Sequence, residues 1–141
     1  MTAPQRLARG LLDTSTLLLL PQLSDATALP VEPLISTITL AELSVGPLVA
    51  GTDAERAARQ AHLQQAEADF DPLPFDAAAA RAFGQVAAAL RHAGRKPAAR
   101  SYDAMIAAVA IANALPLFTS NPDDFVAITQ LRVIEVPHPA E

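Results

Sequence analysis

Short apolar runs alternate with longer helical segments along the chain. Residues 9–13 (Arg-Gly-Leu-Leu-Asp) and 34–38 (Leu-Ile-Ser-Thr-Ile) predict the first two strands. Residues 70–75 are a weaker strand candidate because two prolines interrupt them, and residues 117–119 and 132–136 predict the last two. Strands that alternate with helices are typical of a parallel sheet whose connections are helical.

Helical periodicity fills the stretches between these strands. Residues 102–114 are hydrophobic nearly all round the predicted helix and should be buried against the sheet. The helix from Leu40 should be interrupted at Gly46-Pro47. We expect helices directly after Asp13, from Leu40, over 53–69, over 76–93 with a stop at Gly94, and over 102–114. The prediction is one α/β domain over residues 1–141, with its core at about 9–136 and a central parallel sheet of four to five short strands flanked by helices.

Composition narrows the class of protein. The chain has 141 residues, enough for one compact domain, and it has no cysteine, so disulfides and thiolate metal sites are excluded. The most apolar run, Leu11 to Leu20, contains Asp13 and stops at Pro21, which makes it too short to cross a membrane. We therefore expect a cytoplasmic protein with no membrane association.

Charge is unevenly distributed. The formal net charge of −5 argues mildly against a partner made of nucleic acid. Half of the ten basic residues, however, fall between Arg81 and Arg100. This run is either a solvated loop between two helices or a surface that attracts phosphates. The candidates for contact with nucleic acid are Arg91, Arg95, Lys96 and Arg100.

Four carboxylates lie where predicted elements meet. Asp13 ends the first strand, Glu42 and Asp103 lie near helix starts, and Asp124 lies in a turn after the 117–119 strand. The carboxyl ends of parallel strands share one edge of the sheet, where ligands bind. Neighbouring carboxylates repel one another, and a divalent cation with a preference for oxygen ligands removes that cost. The pattern indicates a site for Mg²⁺ or Mn²⁺.

Each acid also has a purely structural interpretation. Thr39-Leu-Ala-Glu42 fits a capping box, in which Glu42 bonds the backbone of Thr39. Asn121-Pro122 fits a helix start, and Asp13 fits the cap of the turn that follows it. Capping does not explain why Asp13 lies inside an apolar run, or why Asp103 precedes an apolar helix.

Four segments carry a resemblance to a known family. They are Leu12-Asp13-Thr14-Ser15, Thr39-Leu-Ala-Glu42-Leu43 with Gly46, Arg100-Ser-Tyr-Asp103-Ala-Met-Ile106, and Thr119-Ser-Asn121-Pro-Asp-Asp124-Phe125. In this order they resemble the motifs of PIN domains, most closely those of VapC-type toxins of VapBC modules. The resemblance extends from about Leu11 to Val136.

The resemblance implies roles for individual residues. Asp13 and Asp103 resemble the metal-binding aspartates, and Glu42 resembles the glutamate that helps to orient the attacking water. Asp124, rather than Asp123, occupies the aspartate before the phenylalanine of the last motif. The implied catalytic set is Asp13, Glu42, Asp103 and Asp124, with Asn121, Thr14 and Thr119 supporting it.

The family's activity and partners are implied in the same way. The resemblance implies a Mg²⁺-dependent endoribonuclease toxin that cuts structured RNA such as tRNA or rRNA loops, with Mn²⁺ also suitable. It implies a homodimer and a VapB-like antitoxin whose docking surface would be residues 40–69, unless their apolar stripe packs internally. Arg100 has two open roles, contact with the scissile phosphate or a pair with Asp103.

Other functions remain as alternatives. A non-catalytic PIN-type module that only binds RNA and a housekeeping RNA-processing nuclease both fit the same motifs. A phosphatase with an aspartyl nucleophile fits poorly, because such sites need a second aspartate where this chain has Ser15.

Overall fold

One parallel sheet organises the chain. The structure, a computed structural model, describes residues 6–96 and 100–139. The strands are β1 (Arg9–Leu12), β2 (Glu32–Leu34), β3 (Leu117–Thr119) and β4 (Val133–Glu135). Their order is β2-β1-β3-β4, and every neighbouring pair is parallel. The predicted fold class is confirmed, with four strands in the sheet.

Helices cover both faces of this sheet. They are α1 (Thr14–Leu19), α2 (Thr37–Val45), α3 (Asp53–Asp69), α4 (Ala77–His92) and α5 (Ser101–Ala112). A 3-10 turn, Gly46–Val49, ends α2 at the predicted Gly46-Pro47 break, and a second one covers Pro122–Phe125. No helix within the described ranges is both long and apolar enough to span a membrane.

Two strand predictions were wrong in their position. Residues 34–38 were expected to be a strand, yet β2 ends at Leu34 and α2 begins at Thr37 because the Ser36 side chain caps that helix. The 70–75 segment adds no strand to the sheet. It makes a single bridge between Ser36 and Leu73, and its prolines have no N–H groups with which to extend the pairing.

Alternation along the strands divides the core into two clusters. Leu11 and Leu117 point to the face covered by α4 and α5. Leu12 and Phe118 point to the opposite face, where residues of α1, α2 and α3 meet them. Gly10 is required at this position because any Cβ there would overlap the Phe118 ring.

Helices α4 and α5 pack against each other on one face of the sheet. These two helices make the most extensive contact of any pair, and α5 is buried along most of its length, as its apolar pattern predicted. Gly94, at a φ of +77°, ends α4 as expected. Arg100 directly precedes Ser101, the first residue of α5.

Candidate active site

Asp13 stands at the carboxyl end of β1 and is held by two hydrogen bonds. Its side chain is almost fully buried. The backbone N–H of Thr16 donates to Oδ1 (3.1 Å), and the Thr119 hydroxyl donates to Oδ2 (2.6 Å). Asp13 therefore caps α1, as the structural interpretation proposed, and it also lies at the sheet edge where the predicted site should be.

The Thr119 hydroxyl has a fixed direction. Its oxygen accepts the backbone N–H of Asn121 (2.9 Å) while its proton goes to Asp13. Because Thr119 ends β3, the neighbour of β1, the two central strands of the sheet jointly orient this carboxylate.

Glu42 is oriented by a chain of two threonines. The Thr14 hydroxyl donates to Glu42 Oε1 (2.7 Å) and lies 3.0 Å from the hydroxyl of Thr39. Thr14 has one hydroxyl proton, which it gives to Glu42, so Thr39 must donate to Thr14. The acid of the second motif is thereby tied to the residue that follows Asp13.

The capping-box interpretation of Glu42 was wrong. The Ser36 hydroxyl accepts the backbone N–H of Thr39 (3.3 Å), so the helix begins three residues earlier than that motif requires. Glu42 consequently lies beyond the first turn of α2, where its side chain bonds Thr14 instead of the backbone.

Asp103 lies in the first turn of α5, and the charges of the other three acids affect its pKa. Its pKa is raised from 3.8 to about 6, first by burial and then by the charges of Asp124, Asp13 and Glu42, while the charge of Arg100 opposes the shift. Carboxylates affect one another in this way only when they are close. The fold thus brings all four predicted acids to one edge of the sheet.

Asp124 forms an ion pair with Arg100. The guanidinium Nη1 lies 2.7 Å from Asp124 Oδ1, and each side chain is 36% exposed. Of the two roles left open for Arg100, the pair with Asp103 is replaced by this pair with Asp124, although the charge of Arg100 still lowers the pKa of Asp103. The adjacent residue Asp123 is exposed, whereas Asp124 is half-buried; the choice of Asp124 as the acid of the last motif stays a prediction.

Asn121 plays a part that its sequence context did not indicate. It precedes the Pro122–Phe125 turn but makes no side-chain cap there. Its amide nitrogen instead donates to the Ser15 hydroxyl (3.1 Å), which links the last motif to the first. Asn121 therefore lies next to the site and connects the first motif to the last through Ser15.

The other predicted basic residues surround the end of α4. Arg91 and Lys96 are exposed and Arg95 is half-buried, while residues 97–99 of the same run lie outside the described residues. Of these candidates, Arg100 is the one whose charge acts on Asp103.

Two threonines of the site were missed from the sequence. Thr39 holds Thr14, and the Thr16 hydroxyl accepts the backbone N–H of Ser120 (3.0 Å); both side chains are fully buried. The sequence feature that could have identified Thr16 is its hydroxyl group beside a run of leucines, Leu17 to Leu20. Thr39 was assigned to a helix cap, so its side chain seemed already accounted for.

The side-chain atoms at this edge that could coordinate a metal ion are all oxygens. Across residues 6–96 and 100–139, no group of three or more acidic or histidine side chains is placed to hold a metal ion by itself. Mg²⁺ is commonly bound through one or two carboxylates, with waters and substrate phosphates as its other ligands. The carboxylates at this edge could bind Mg²⁺ in that way.

Comparisons with known proteins identify the family of the chain. The PIN domain family model matches residues 11–131. The chain is 39% identical over 132 residues to Ribonuclease VapC5 of Mycobacterium tuberculosis, which covers 92% of this chain and 94% of that protein.

Solved structures show the same relationship. A chain of VapBC-5, a member of the VapBC family of toxin–antitoxin systems from Mycobacterium tuberculosis, matches with a TM-score of 0.77 and 35% identity over 92% of this chain and 99% of that one. A chain of DNA-bound VapBC from Salmonella typhimurium matches with a TM-score of 0.72 and 26% identity over 92% and 98% of the two chains. The chain therefore belongs to the PIN-domain family and is of the VapC type.

Proposed function

We propose that this chain is a Mg²⁺-dependent endoribonuclease and the toxin of a VapBC-type toxin–antitoxin pair. The observation that carries the proposal is the set of contacts that joins the acidic motifs: Thr119 at the end of β3 bonds Asp13, Thr14 bonds Glu42, and Arg100 at the start of α5 pairs with Asp124. The raised pKa of Asp103 supports the same arrangement. Such a cluster is costly without a cation, and perturbed acids are frequent at catalytic sites. The printed names of the similar proteins support the ribonuclease and the toxin–antitoxin assignment.

Asp13 and Asp103 are the residues that would hold Mg²⁺, or Mn²⁺ in its place. When bound, the ion supplies a Lewis acid that activates water and offsets charge on the phosphate. Both oxygens of Asp13 already accept a hydrogen bond, so the carboxylate is oriented before any ion arrives.

Glu42 is the residue suited to orient the attacking water and accept its proton. Thr14 occupies Oε1 and leaves Oε2 for this task. The substrate class we propose is structured RNA such as tRNA or rRNA loops. The basic residues Arg91, Arg95 and Lys96 would attract its backbone, since the acids alone repel it.

The direct test is RNA cleavage by the purified chain. Total cellular RNA is incubated with the protein with and without Mg²⁺ or Mn²⁺, next to an Asp13→Asn, Asp103→Asn double variant. We expect discrete metal-dependent fragments that the double variant does not produce, and sequencing of their ends identifies the substrate. Intact RNA with a folded, metal-loaded protein would instead favour a non-catalytic RNA-binding module.

We further propose where the VapB-like antitoxin binds. An apolar groove between α1 and α3 is lined by Leu17, Leu18, Ala66 and Phe70 among others, and Leu18 and His62 also line a second cavity that contains Glu42. A partner segment could place apolar side chains in the groove and one basic side chain in the adjoining cavity, next to the Glu42 carboxylate. Within residues 40–69, Leu43 is buried and Ala66 contributes only its 3% exposed edge to the groove, so the predicted docking stripe is only partly available.

Binding can be tested with the protein encoded by a small open reading frame next to this gene. Leu18→Glu should weaken co-purification of that partner, whereas Val126→Glu, an exposed apolar residue outside the groove, should leave it unchanged. Equal binding by both variants would exclude the groove as the docking site. The homodimer and the cytoplasmic location stay predictions from the sequence.

A further inference from the structure

Arg59 is an arginine of α3 that none of the four motifs contains. Its Nη1 donates to the backbone carbonyl of Gly46 (3.0 Å), which lies in the turn that ends α2. Its Nη2 lies 3.9 Å from Glu55 Oε2, and that same oxygen accepts the backbone N–H of Gly51 (3.0 Å). The guanidinium is therefore positioned by groups from both sides of the connection between α2 and α3.

Gly46 leaves the space that the Arg59 side chain occupies. A Cβ at this glycine would lie 3.2 Å from Cδ, 3.4 Å from Cβ and 3.5 Å from Cγ of Arg59. The shortest of these separations is closer than side chains usually approach, so a larger residue at position 46 would shift the arginine. The glycine of the second motif is thus packed against the stem of Arg59.

The same arginine reaches the cavity that contains Glu42. Thr14, Glu42 and Arg59 line this cavity, and His62, one helical turn after Arg59, lines it as well. The Arg59 side chain is 42% exposed. The cavity has a volume of about 200 Å³, whereas sites that enclose a whole small molecule measure about 300–1,000 Å³. It therefore suits one group of a longer ligand.

The guanidinium has donors left for such a group. Arginine carries five N–H donors. Among the described residues, the Gly46 carbonyl takes one of them, and the Glu55 oxygen at 3.9 Å is too distant for a hydrogen bond. An ion pair of that length between half-exposed side chains is weak, so the charge of Arg59 stays available. Parallel N–H groups on a planar guanidinium match the oxygens of a phosphate.

We propose that Arg59 binds a backbone phosphate of the RNA substrate, next to the phosphodiester that the acidic site cuts. The inference rests on the proposed function, because it presupposes an RNA substrate. Glu42 is the residue suited to orient the attacking water, so a phosphate in its cavity belongs to a nucleotide close to the scissile bond. The contact offsets the repulsion between Glu42 and the backbone, and it does not depend on the RNA sequence.

The salt dependence of RNA binding tests this contact. Binding of a fluorescent single-stranded RNA of mixed sequence is measured by anisotropy, in the Asp13→Asn, Asp103→Asn protein so that the RNA stays intact. Addition of Arg59→Met should weaken binding roughly tenfold at low salt. It should also lower the slope of log Kd against log salt concentration by about 0.7, the value for one phosphate of a single strand. Arg59→Lys keeps the charge and should retain the slope.

Arg56 provides the matched control on the same helix. It lies one turn before Arg59, pairs with Asp53 (3.1 Å) and lines a separate depression beside Pro47 and Leu48. Arg56→Met removes the same charge from α3 and should leave the slope unchanged. Equal reductions of the slope in Arg59→Met and Arg56→Met would reveal a general effect of charge and overturn the assigned contact.

Chemical protection provides a measurement that needs no variant at Arg59. A dicarbonyl reagent modifies accessible arginines, and the side chains of Arg59 and Arg56 are 42% and 57% exposed. With RNA bound, mass spectrometry should show that Arg59 is protected and that Arg56 is modified as before. This measurement keeps the test decisive even where Arg59→Met does not fold, and modification of Arg59 that RNA leaves unchanged would overturn the proposal.

The outcomes separate the inference from the function on which it rests. An unchanged slope in a folded Arg59→Met protein would overturn the phosphate contact and leave the nuclease intact. Loss of antitoxin co-purification in that variant, with RNA binding unchanged, would assign Arg59 to the antitoxin interface instead. A folded wild type that neither binds nor cuts RNA would overturn the proposed substrate and the inference together.

Discussion

The two sides of the acidic site are built by different forces. On one side, hydrogen bonds from Thr16 and Thr119 orient Asp13, and a threonine chain orients Glu42. On the other side, the half-buried Asp103 is balanced between neighbouring carboxylates and the Arg100 guanidinium. We refer to them as the hydrogen-bonded side and the charge-balanced side.

The difference indicates what each acid contributes to the metal-free protein. Removal of Asp13 leaves buried donors without acceptors, which costs stability. Removal of the Asp103 charge relieves repulsion, which adds stability. Two acids with the same proposed task in catalysis therefore have opposite effects on folding.

The largest effect is expected for Asp13→Ala. The Thr119 hydroxyl and the Thr16 N–H lose their acceptor in a buried site, so the free energy of unfolding should fall by about 2–4 kcal/mol. Urea denaturation at pH 7 measures it. Asp25→Ala is the matched control, because Asp25 accepts the same two kinds of donor from Thr27 at an exposed position. A similar loss in both variants would contradict the role of burial.

Thr119→Val should have the next largest effect. Valine fills the same volume but leaves Asp13 Oδ2 without its donor and the Asn121 N–H without its acceptor, so about 1–3 kcal/mol of stability should be lost. RNA cleavage should fall together with stability, because Asp13 is no longer oriented. Thr119→Ser, which keeps the hydroxyl, should retain most of both. Equal losses in the valine and serine variants would show that packing, not the hydrogen bond, matters at this position.

The charge-balanced side should respond in the opposite direction. Asp103→Asn should raise the unfolding free energy of the metal-free protein at pH 7 by on the order of 1 kcal/mol, a figure that allows for solvent screening. The folded pKa of about 6 lies above the ordinary 3.8, so protonated Asp103 stabilises the fold below pH 3.8, and that contribution is lost as the pH rises through 6.

The pH dependence of this variant provides its check. The stability difference between Asp103→Asn and the wild type should shrink as the pH falls from 7 to 4, because the wild-type side chain becomes neutral as well. Denaturation curves at several pH values in a metal chelator measure it. A difference that is constant with pH, or a less stable variant at pH 7, would contradict the charge-balance argument. Asp123→Asn, a neutralised exposed neighbour, serves as the control.

The smallest effect is expected for Thr39→Val. The buried Thr39 hydroxyl donates to Thr14 and through it orients Glu42, so its loss should cost about 0.5–1.5 kcal/mol of stability. RNA cleavage should decrease about tenfold without a change in metal affinity, because Glu42 is not a proposed metal ligand. Recovery of cleavage in Thr39→Ser would support the chain of hydroxyls, and a drop in metal affinity would argue against it.

Much of this molecule follows from local sequence patterns. The α3 helix has the bounds its Ala- and Gln-rich pattern predicted, and α5 is buried because it is apolar on every side. Gly94 follows the end of α4 at a positive φ that glycine tolerates, and α2 ends at Gly46-Pro47 because proline has no N–H to continue the helix. The positions of the four acids next to strand ends and helix starts were also visible, since the order of elements defines the edge of a parallel sheet.

The partners of those acids depended on contacts between distant residues. From the sequence, Thr39 was the predicted partner of Glu42, and Asp103 was one of two partners considered for Arg100, because each pair lies within one helical turn. The fold instead joined Glu42 to Thr14 and Arg100 to Asp124. These pairs form only when β1, β3, α2 and α5 come together, and no local pattern encodes that approach.

The sequence by itself determined the fold class, the family motifs and the edge of the sheet at which the acids collect, because hydrophobic periodicity and turn chemistry are local. Only the tertiary structure decided which acid is fixed by hydrogen bonds and which by charge. That distinction depends on burial and on the neighbours of each carboxylate, and both arise when elements far apart in the chain pack against each other.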